Sequence, residues 1–326
     1  MNTLRQLRKF CIPLVTTIVL ACFSHAGTRH ITTFDAPGAG TGAGQGTGGF
    51  GINPQGTVVG SFLDDGMVFH GYQCVSGCGS PSTFTEFNAP DAGTAANQGT
   101  ITFSINLFGV ITGYFIDANN VNHGFVTTAP FDTFTILDEP NAGQGAGQGT
   151  IAGNVSPFGG EIAGSYVDAS GISHGFVTSP PYRTFTSFDP KGSVNTLMPV
   201  ASALNLEGEV TGLYADTSGA FHGFVRKANG TITTFNVKGA GTGPGQGTVP
   251  EGINWRGDIT GQWVDSSGVN HGFVRDPAGH ITSYDVPGAG TGAGQGTLPN
   301  TPNLFGVITG QDIDANNVHH GFLRRP

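Results

Sequence analysis

The chain has 326 residues, enough for one large domain or two ordinary ones, with 55 glycines, 24 phenylalanines, 11% charged residues and a net charge of −9. Low charge with this much glycine would fit disorder, but 37% of the residues are hydrophobic. They fall in short β-rich runs such as GVITGYFID (109–117), so the composition predicts many short strands joined by turns. The acidic balance excludes nucleic acid and anionic membrane as natural partners.

Residues 1–26 read as an export signal. Arg5, Arg8 and Lys9 form a basic start, CIPLVTTIVLACF (11–23) is an apolar stretch too short for a comfortable membrane span, and SHA (24–26) supplies small residues for cleavage after Ala26. A competing reading takes VLAC (19–22) as a lipobox that would anchor the protein through lipidated Cys22. Either way the body is expected to be secreted or periplasmic, with no membrane span. Removing the three basic residues of the signal takes the net charge from −9 to −12. Cys74 and Cys78, in CVSGC, are then the two cysteines left, and an oxidising compartment predicts a disulfide between them.

The next feature is DAPGAGTGAGQGT (35–47), repeated almost verbatim at 285–297, with related strings at 91–100, 141–150 and 239–248. A dinucleotide-binding loop needs a strand before it and a helix after it. Here no helical period follows, and so many copies of a nucleotide loop make no sense on one domain. The strings read as connectors within a repeat.

That repeat has the form N-x-x-G-x-[IV]-x-G-x-[YFW]-x-D-x-x-[GN]-x-x-H-G-[FY]. Its clearest mark is His-Gly-aromatic, at His70, His123, His174, His222, His271 and His320, spaced by 53, 51, 48, 49 and 49 residues. A period near 50 marks a propeller or solenoid. Each unit parses into four strands. In the second, these are 100–105, 110–117, VNHGFVTT and 132–138, with the glycine-rich string leading on to the next unit. The expected fold is therefore all-β: a six-bladed β-propeller of four-stranded antiparallel blades in one domain, 27–326. The sequence closes on a third strand and opens, after the signal, on a fourth, TRHITTFD (28–35). Pairing the two closes the ring and removes exposed sheet edges. An open β-solenoid is the alternative.

GINPQGTVVGSFLDDGMVFHGY (51–72) resembles the bacterial extracellular HAF repeat, in which Gly-Ile-Asn-x-x-Gly-x-Val-x-Gly is followed by His-Ala-Phe. Every copy here has glycine for that alanine. The resemblance implies a secreted repeat protein and transfers no catalytic residue.

The residues that look chemical divide as follows. The six histidines open each third strand, about two strand spacings of ~4.8 Å out from the centre, so they cannot converge on a metal; each is expected to bond a neighbouring turn. A glycine recurs inside strand two (Gly60, Gly113, Gly164, Gly212, Gly261, Gly310), and the expected tenant of the freed space is an aromatic of the adjacent blade, such as Phe125 or Phe273. The turns DANNVNHG and DANNVHHG faintly resemble calcium loops but offer too few oxygens. Arg256-Gly257-Asp258 matches an adhesion tripeptide and is read as the turn of its repeat. In unit four, FDPKGSVNTLMPVAS (188–202) replaces the glycine-rich link with the unique Lys191, Asn195 and Met198.

Strands two and four should end on one face, crowding Asp117, Asp168, Asp216, Asp265 and Asp314 there with Asp35, Asp138, Asp189 and Asp285, against Lys191 and Lys238. Arginines 226, 256, 275 and 324 fall opposite. The acidic face, with Lys191 and Asn195, is the candidate ligand-binding surface. No cofactor is expected beyond weakly held calcium. The function read from these features is a monomeric scaffold binding a glycan or protein through a disc face. A polysaccharide lyase or glycosidase using channel-lining residues, and a purely structural surface protein, are the alternatives.

Overall fold

The computed structural model describes residues 34–325, apart from 43, 76–77, 79, 198–202, 303–305 and 318. The export signal, Cys22 and the segment 28–33 lie outside the described residues, as does Met198. The described chain is all-β, with 23 strands and one short 3-10 turn at Pro81–Thr83. Among the described residues no helix is long and apolar enough to cross a membrane.

The strands follow the repeat. In unit two they are Gly99–Ile105, Ile111–Ile116, Asn122–Thr127 and Phe134–Leu137, each antiparallel to the one before it. Units one to five have this four-stranded form, and unit six has three described strands, Gly296–Pro302, Ile308–Ile313 and His319–Arg324. Strand one of unit four is cut to Asn195–Leu197.

Successive units join at a single parallel bridge between the start of strand three and the start of the next strand one: Phe69↔Gly99, Asn122↔Gly149, Phe221↔Gly247 and Asn270↔Gly296. The bridge is missing between units three and four, so backbone pairing forms one 12-stranded and one 11-stranded sheet. There Asn195 Oδ1 accepts the Ser173 amide (3.0 Å) and Ser173 Oγ donates to the Thr196 carbonyl (2.8 Å). A side chain does at this junction what the Gln148 carbonyl does for Asn122. The irregular link of unit four is thus a different way of making the same joint.

Packing between units centres on the aromatic or leucine side chain near the end of strand four. Phe87 of unit one packs into unit two with Phe125, Phe131 and Phe134, and Leu137 of unit two into unit three with Phe176, Tyr182 and Phe185. Phe188, Phe235 and Tyr284 meet Phe224, Phe273 and Phe322 of the following units at 5.8, 6.1 and 6.3 Å between ring centroids. Phe34 takes the same place in unit one. Its ring lies 6.0 Å from Phe84 at 53°, where Phe87 lies 6.2 Å from Phe134 at 49°. The predicted Cys74–Cys78 disulfide is present and buried in this same cluster.

Two glycines per unit make room. The strand-two glycine corrects the expectation of an adjacent-blade tenant: the space belongs to its own unit. A Cβ on Gly164 would lie 2.3 Å from the Ile151 carbonyl oxygen and 2.6 Å from the Phe176 ring, which stands opposite it in strand three. The glycine of His-Gly-aromatic stands opposite the strand-four side chain. A Cβ on Gly175 would lie 2.7 Å from the Phe188 ring and one on Gly223 2.6 Å from Phe235. An alanine here would drive that ring out of the next unit. Gly175→Ala should therefore destabilise the protein by roughly 1–3 kcal/mol in chemical denaturation, and Phe188→Leu should relieve part of the penalty. An unchanged midpoint for the single variant would contradict this packing.

Candidate functional site

The strand-two aspartates and the histidines form one arrangement, repeated in units one to five. Each aspartate ends strand two, and its Oδ1 accepts the amides two and four residues on, as Asp168 does from Ser170 and Ile172 (2.8 Å each). Oδ2 faces the histidine of strand three: His174 Nε2 lies 3.5 Å from Asp168 while its Nδ1 lies 2.7 Å from Asp189 at the end of strand four. Asp117, Asp216 and Asp265 repeat the pattern with His123, His222 and His271, the strand-four partner being Asp138, Asn236 and Asp285. Asp64 does so with His70 and Asn88. Asp314 accepts the Asn316 amide at 2.8 Å. Each imidazole also stacks on the strand-two aromatic, at 5.0 Å on Phe62, 4.9 Å on Phe115, 5.0 Å on Tyr166, 4.9 Å on Tyr214 and 4.1 Å on Trp263.

These contacts put the ends of strands two and four at one end of each unit, as the strand directions require. The glycine-rich links lie at the same end and are pinned by their glutamine and threonine. Gln148 accepts the Gly145 amide (2.8 Å) and donates to the Ala169 carbonyl (3.1 Å) beyond the strand-two aspartate, and Gln45, Gln98, Gln246 and Gln295 do likewise. The threonine two residues on accepts an amide just past strand four at 2.9 Å: Ala36 on Thr47, Ala89 on Thr100, Glu139 on Thr150, Val237 on Thr248 and Val286 on Thr297. A small, positive-φ backbone is needed where the link turns into strand one: a Cβ on Gly149 would meet the Asn122 carbonyl oxygen at 2.0 Å.

The candidate aspartates are thus each engaged inside their own turn and do not assemble into a shared site. Lys191 is exposed, and Asn195 is committed to the joint described above. Among the described residues no group of three or more histidine, cysteine or acidic side chains is placed to hold a metal ion.

The hydrogen bonds shift the titrations. Asp168 lies below the ordinary aspartate value, first through the Ile172 amide. In Asp117 and Asp265 desolvation pushes upward, and the turn amides with the neighbouring histidine outweigh it. Ser218 and His222 hold Asp216 down most strongly. Burial would lower His174, but Asp189 and Asp168 reverse that and raise it above 6.5.

The opposite end carries the strand one–two and three–four turns, and it differs. Here large apolar side chains are exposed on the strand one–two turns: Phe108 (67%), Phe158 (57%) and Trp255 (44%). Two clefts open at equivalent positions of units three and five. The first, about 320 Å³, is lined by Glu161, Val177, Arg183 and Thr186 among others. The second, about 250 Å³, is lined by Asp258, Val274, Thr282 and Arg256 of unit five with Ile308 and Arg324 of unit six. Glu161, Val177 and Thr186 match Asp258, Val274 and Thr282 in strand register. In the second cleft Arg256 Nε and Nη2 lie 3.1 and 3.0 Å from Asp258 Oδ2, which also accepts Asn254 Nδ2 at 3.0 Å. The two ends of the adhesion-like tripeptide are thereby tied to each other.

Glu161 and Arg183 were not singled out in the sequence, Asp258 was noticed only as the end of the adhesion-like tripeptide, and Arg324 only as one of the arginines opposite the acidic face. The available signal was a break in symmetry: strand three ends in Arg226, Arg275 and Arg324 in units four to six, but in Cys74, Thr127 and Thr178 in units one to three.

No protein-family model matches the chain, and no curated protein does. Among solved structures, puromycin hydrolase aligns with 85% of this chain at 11% identity and a TM-score of 0.52, and the chain spans 43% of that enzyme's length. The six-bladed β-propeller lectin of Aleuria aurantia, a fucose binder, aligns over 84% of this chain and 89% of its own at 14% identity and a TM-score of 0.46. The BP39L lectin of Burkholderia pseudomallei aligns over 81% and 79% at 11% identity and 0.46. At 11% identity the first likeness shows a shared fold and nothing of activity.

The histidine clamp makes stability depend on pH. Because its folded pKa is raised, His174 contributes stability that is fully present below its unfolded value of 6.5 and lost as pH rises through the folded value. The melting-temperature loss caused by His174→Gln should be larger at pH 5.5 than at pH 8.5; an equal loss at both would contradict the ion pairing.

Proposed function

We propose that the protein is an exported, non-catalytic repeat scaffold, a six-bladed propeller of the HAF-repeat kind whose sixth blade is completed by the N-terminal segment, and that it binds a carbohydrate in the clefts at the strand one–two and three–four turns. The carrying observation is a similar cleft chemistry in both, with the carboxylate, the threonine and the apolar wall at equivalent positions and the guanidinium supplied from different ones. A carboxylate, a guanidinium, an exposed threonine and an apolar wall line each cleft, Glu161, Arg183, Thr186 and Val177 in one and Asp258, Arg324, Thr282 and Val274 in the other. Sugars present hydroxyl edges and apolar faces, and such a mixture suits both. Volumes of about 250 and 320 Å³ fall at the small end of ligand pockets and suit one or two sugar residues. The exposed rings of Phe158 and Trp255 at the same end offer stacking surfaces beside them.

Two considerations favour this end over the acidic one. The aspartates of the link end already spend their lone pairs on turn amides and histidines. For a glycosidase, hydrolysis needs two carboxylates about 5–10 Å apart, and Glu251 is the single acidic residue across all six first strands.

A panel of polysaccharides screened for both binding and turnover tests the proposal. Binding without turnover is expected. Glu161→Gln should weaken it roughly tenfold, while Asp117→Asn with Asp168→Asn and Asp265→Asn should leave it unchanged in the folded protein. Turnover would favour the hydrolase or lyase, and loss of binding in the aspartate variants alone would return the site to the acidic end.

A further inference from the structure

The slot above each strand-four side chain is filled in two ways. In units one to three the filler is neutral: the Cys74–Cys78 disulfide beside Phe34, Phe131 stacked 4.2 Å from Phe87, and Tyr182 against Leu137. In units four to six it is a guanidinium: Arg226 at 5.0 Å over Phe188, Arg275 at 4.9 Å over Phe235 and Arg324 at 4.7 Å over Tyr284. A neutral ring fills such a slot without the cost of desolvating a charge, and units two and three show that one fits. Cation–π attraction offsets only part of that cost.

These arginines are also short of partners. Arg226 is 6% exposed, donates to the Lys227 carbonyl at 3.3 Å, and has no hydrogen-bond partner for its buried Nε. Arg275 repeats this, donating to the Asp276 carbonyl at 3.2 Å with Nε unpartnered. In the cleft between units five and six the one carboxylate, Asp258, is already held by Arg256 and Asn254. Arg324 lines that cleft and forms no ion pair among the described residues. The cleft therefore holds two guanidinium groups and one spent carboxylate, a net positive charge on a chain of −9 overall.

We propose that the arginine-bearing cleft between units five and six takes an acidic polysaccharide, with a carboxylate or sulfate on the sugar pairing with Arg324. This rests on the carbohydrate-binding reading and narrows its ligand class. A planar guanidinium held over a ring is preorganised for two-pronged contact with such an anion.

The test is titration calorimetry of the full exported chain with polygalacturonate, dextran sulfate and uncharged dextran at 50 and 300 mM NaCl. The expected result is binding to a charged polymer, carboxylated or sulfated, that weakens with salt. Arg324→Gln should lower the affinity at least tenfold and Arg324→Lys by less, while Lys191→Gln and Lys238→Gln at the link end should change nothing. If Arg324→Gln does not fold, the Arg324→Lys variant and the salt dependence carry the test. Binding of dextran as tightly as the charged polymers, or salt-independent binding indifferent to Arg324, overturns the acidic ligand and leaves the glycan scaffold standing. Failure of every polysaccharide to bind defeats both.

Discussion

The fold depends on one contact made again at each junction: the side chain near the end of strand four leaves its own unit and fills a slot in the next. Phe87, Leu137, Phe188, Phe235 and Tyr284 all do this. The donor unit makes way by giving up a Cβ at the glycine of His-Gly-aromatic. A four-stranded antiparallel unit has one face left uncovered, and burying a ring of 150–250 Å² against the neighbour covers it. No unit has a complete core alone, so the repeat must be read as a chain of junctions.

The link end then keeps those junctions in register. Five glutamine–threonine pairs tie each glycine-rich string down, and the aspartate–histidine clamps hold the turn that the glutamine reaches. Chemistry that resembles a metal or catalytic constellation in the sequence is thereby spent on structure. The other end is pinned by its own repeated side chain, Asn53, Asn106, Asn205 and Asn254 each accepting the amides two and four residues on, and the exposed rings and arginine-lined clefts are found there. Around those asparagine turns the side chains vary from unit to unit, as the arginines of units four to six do.

Much of this was legible in the sequence. The strands of unit two lie within one or two residues of their expected bounds, because alternation such as Ile101, Phe103, Ile105 fixes both strand and face. The disulfide and the crowding of acidic strand ends followed from spacing and strand direction. What alternation does not carry is the partner across the sheet. Gly164 announces missing volume, but that Phe176 of the same unit fills it is decided by register. The clefts stayed hidden for a related reason. Asp258 and Arg324 are 66 residues apart and meet only because consecutive units pack together. The odd link of unit four looked like specialisation, whereas Asn195 restores by side chain a bond made elsewhere by backbone.

The slot rule bears on the whole architecture. Unit one is filled by Phe34, which holds the place of a strand-four residue, and the Ala36 amide reaches Thr47 as its counterparts do elsewhere. Unit six lacks a described fourth strand. The proposal that one segment serves both places requires the units to run in a circle. Small-angle X-ray scattering of the exported chain tests this most directly. A closed propeller predicts a radius of gyration of roughly 20 Å, the value for a compact chain of this length, with a symmetric distance distribution. A value half as large again, with the long tail of an elongated particle, would contradict closure and leave an open solenoid.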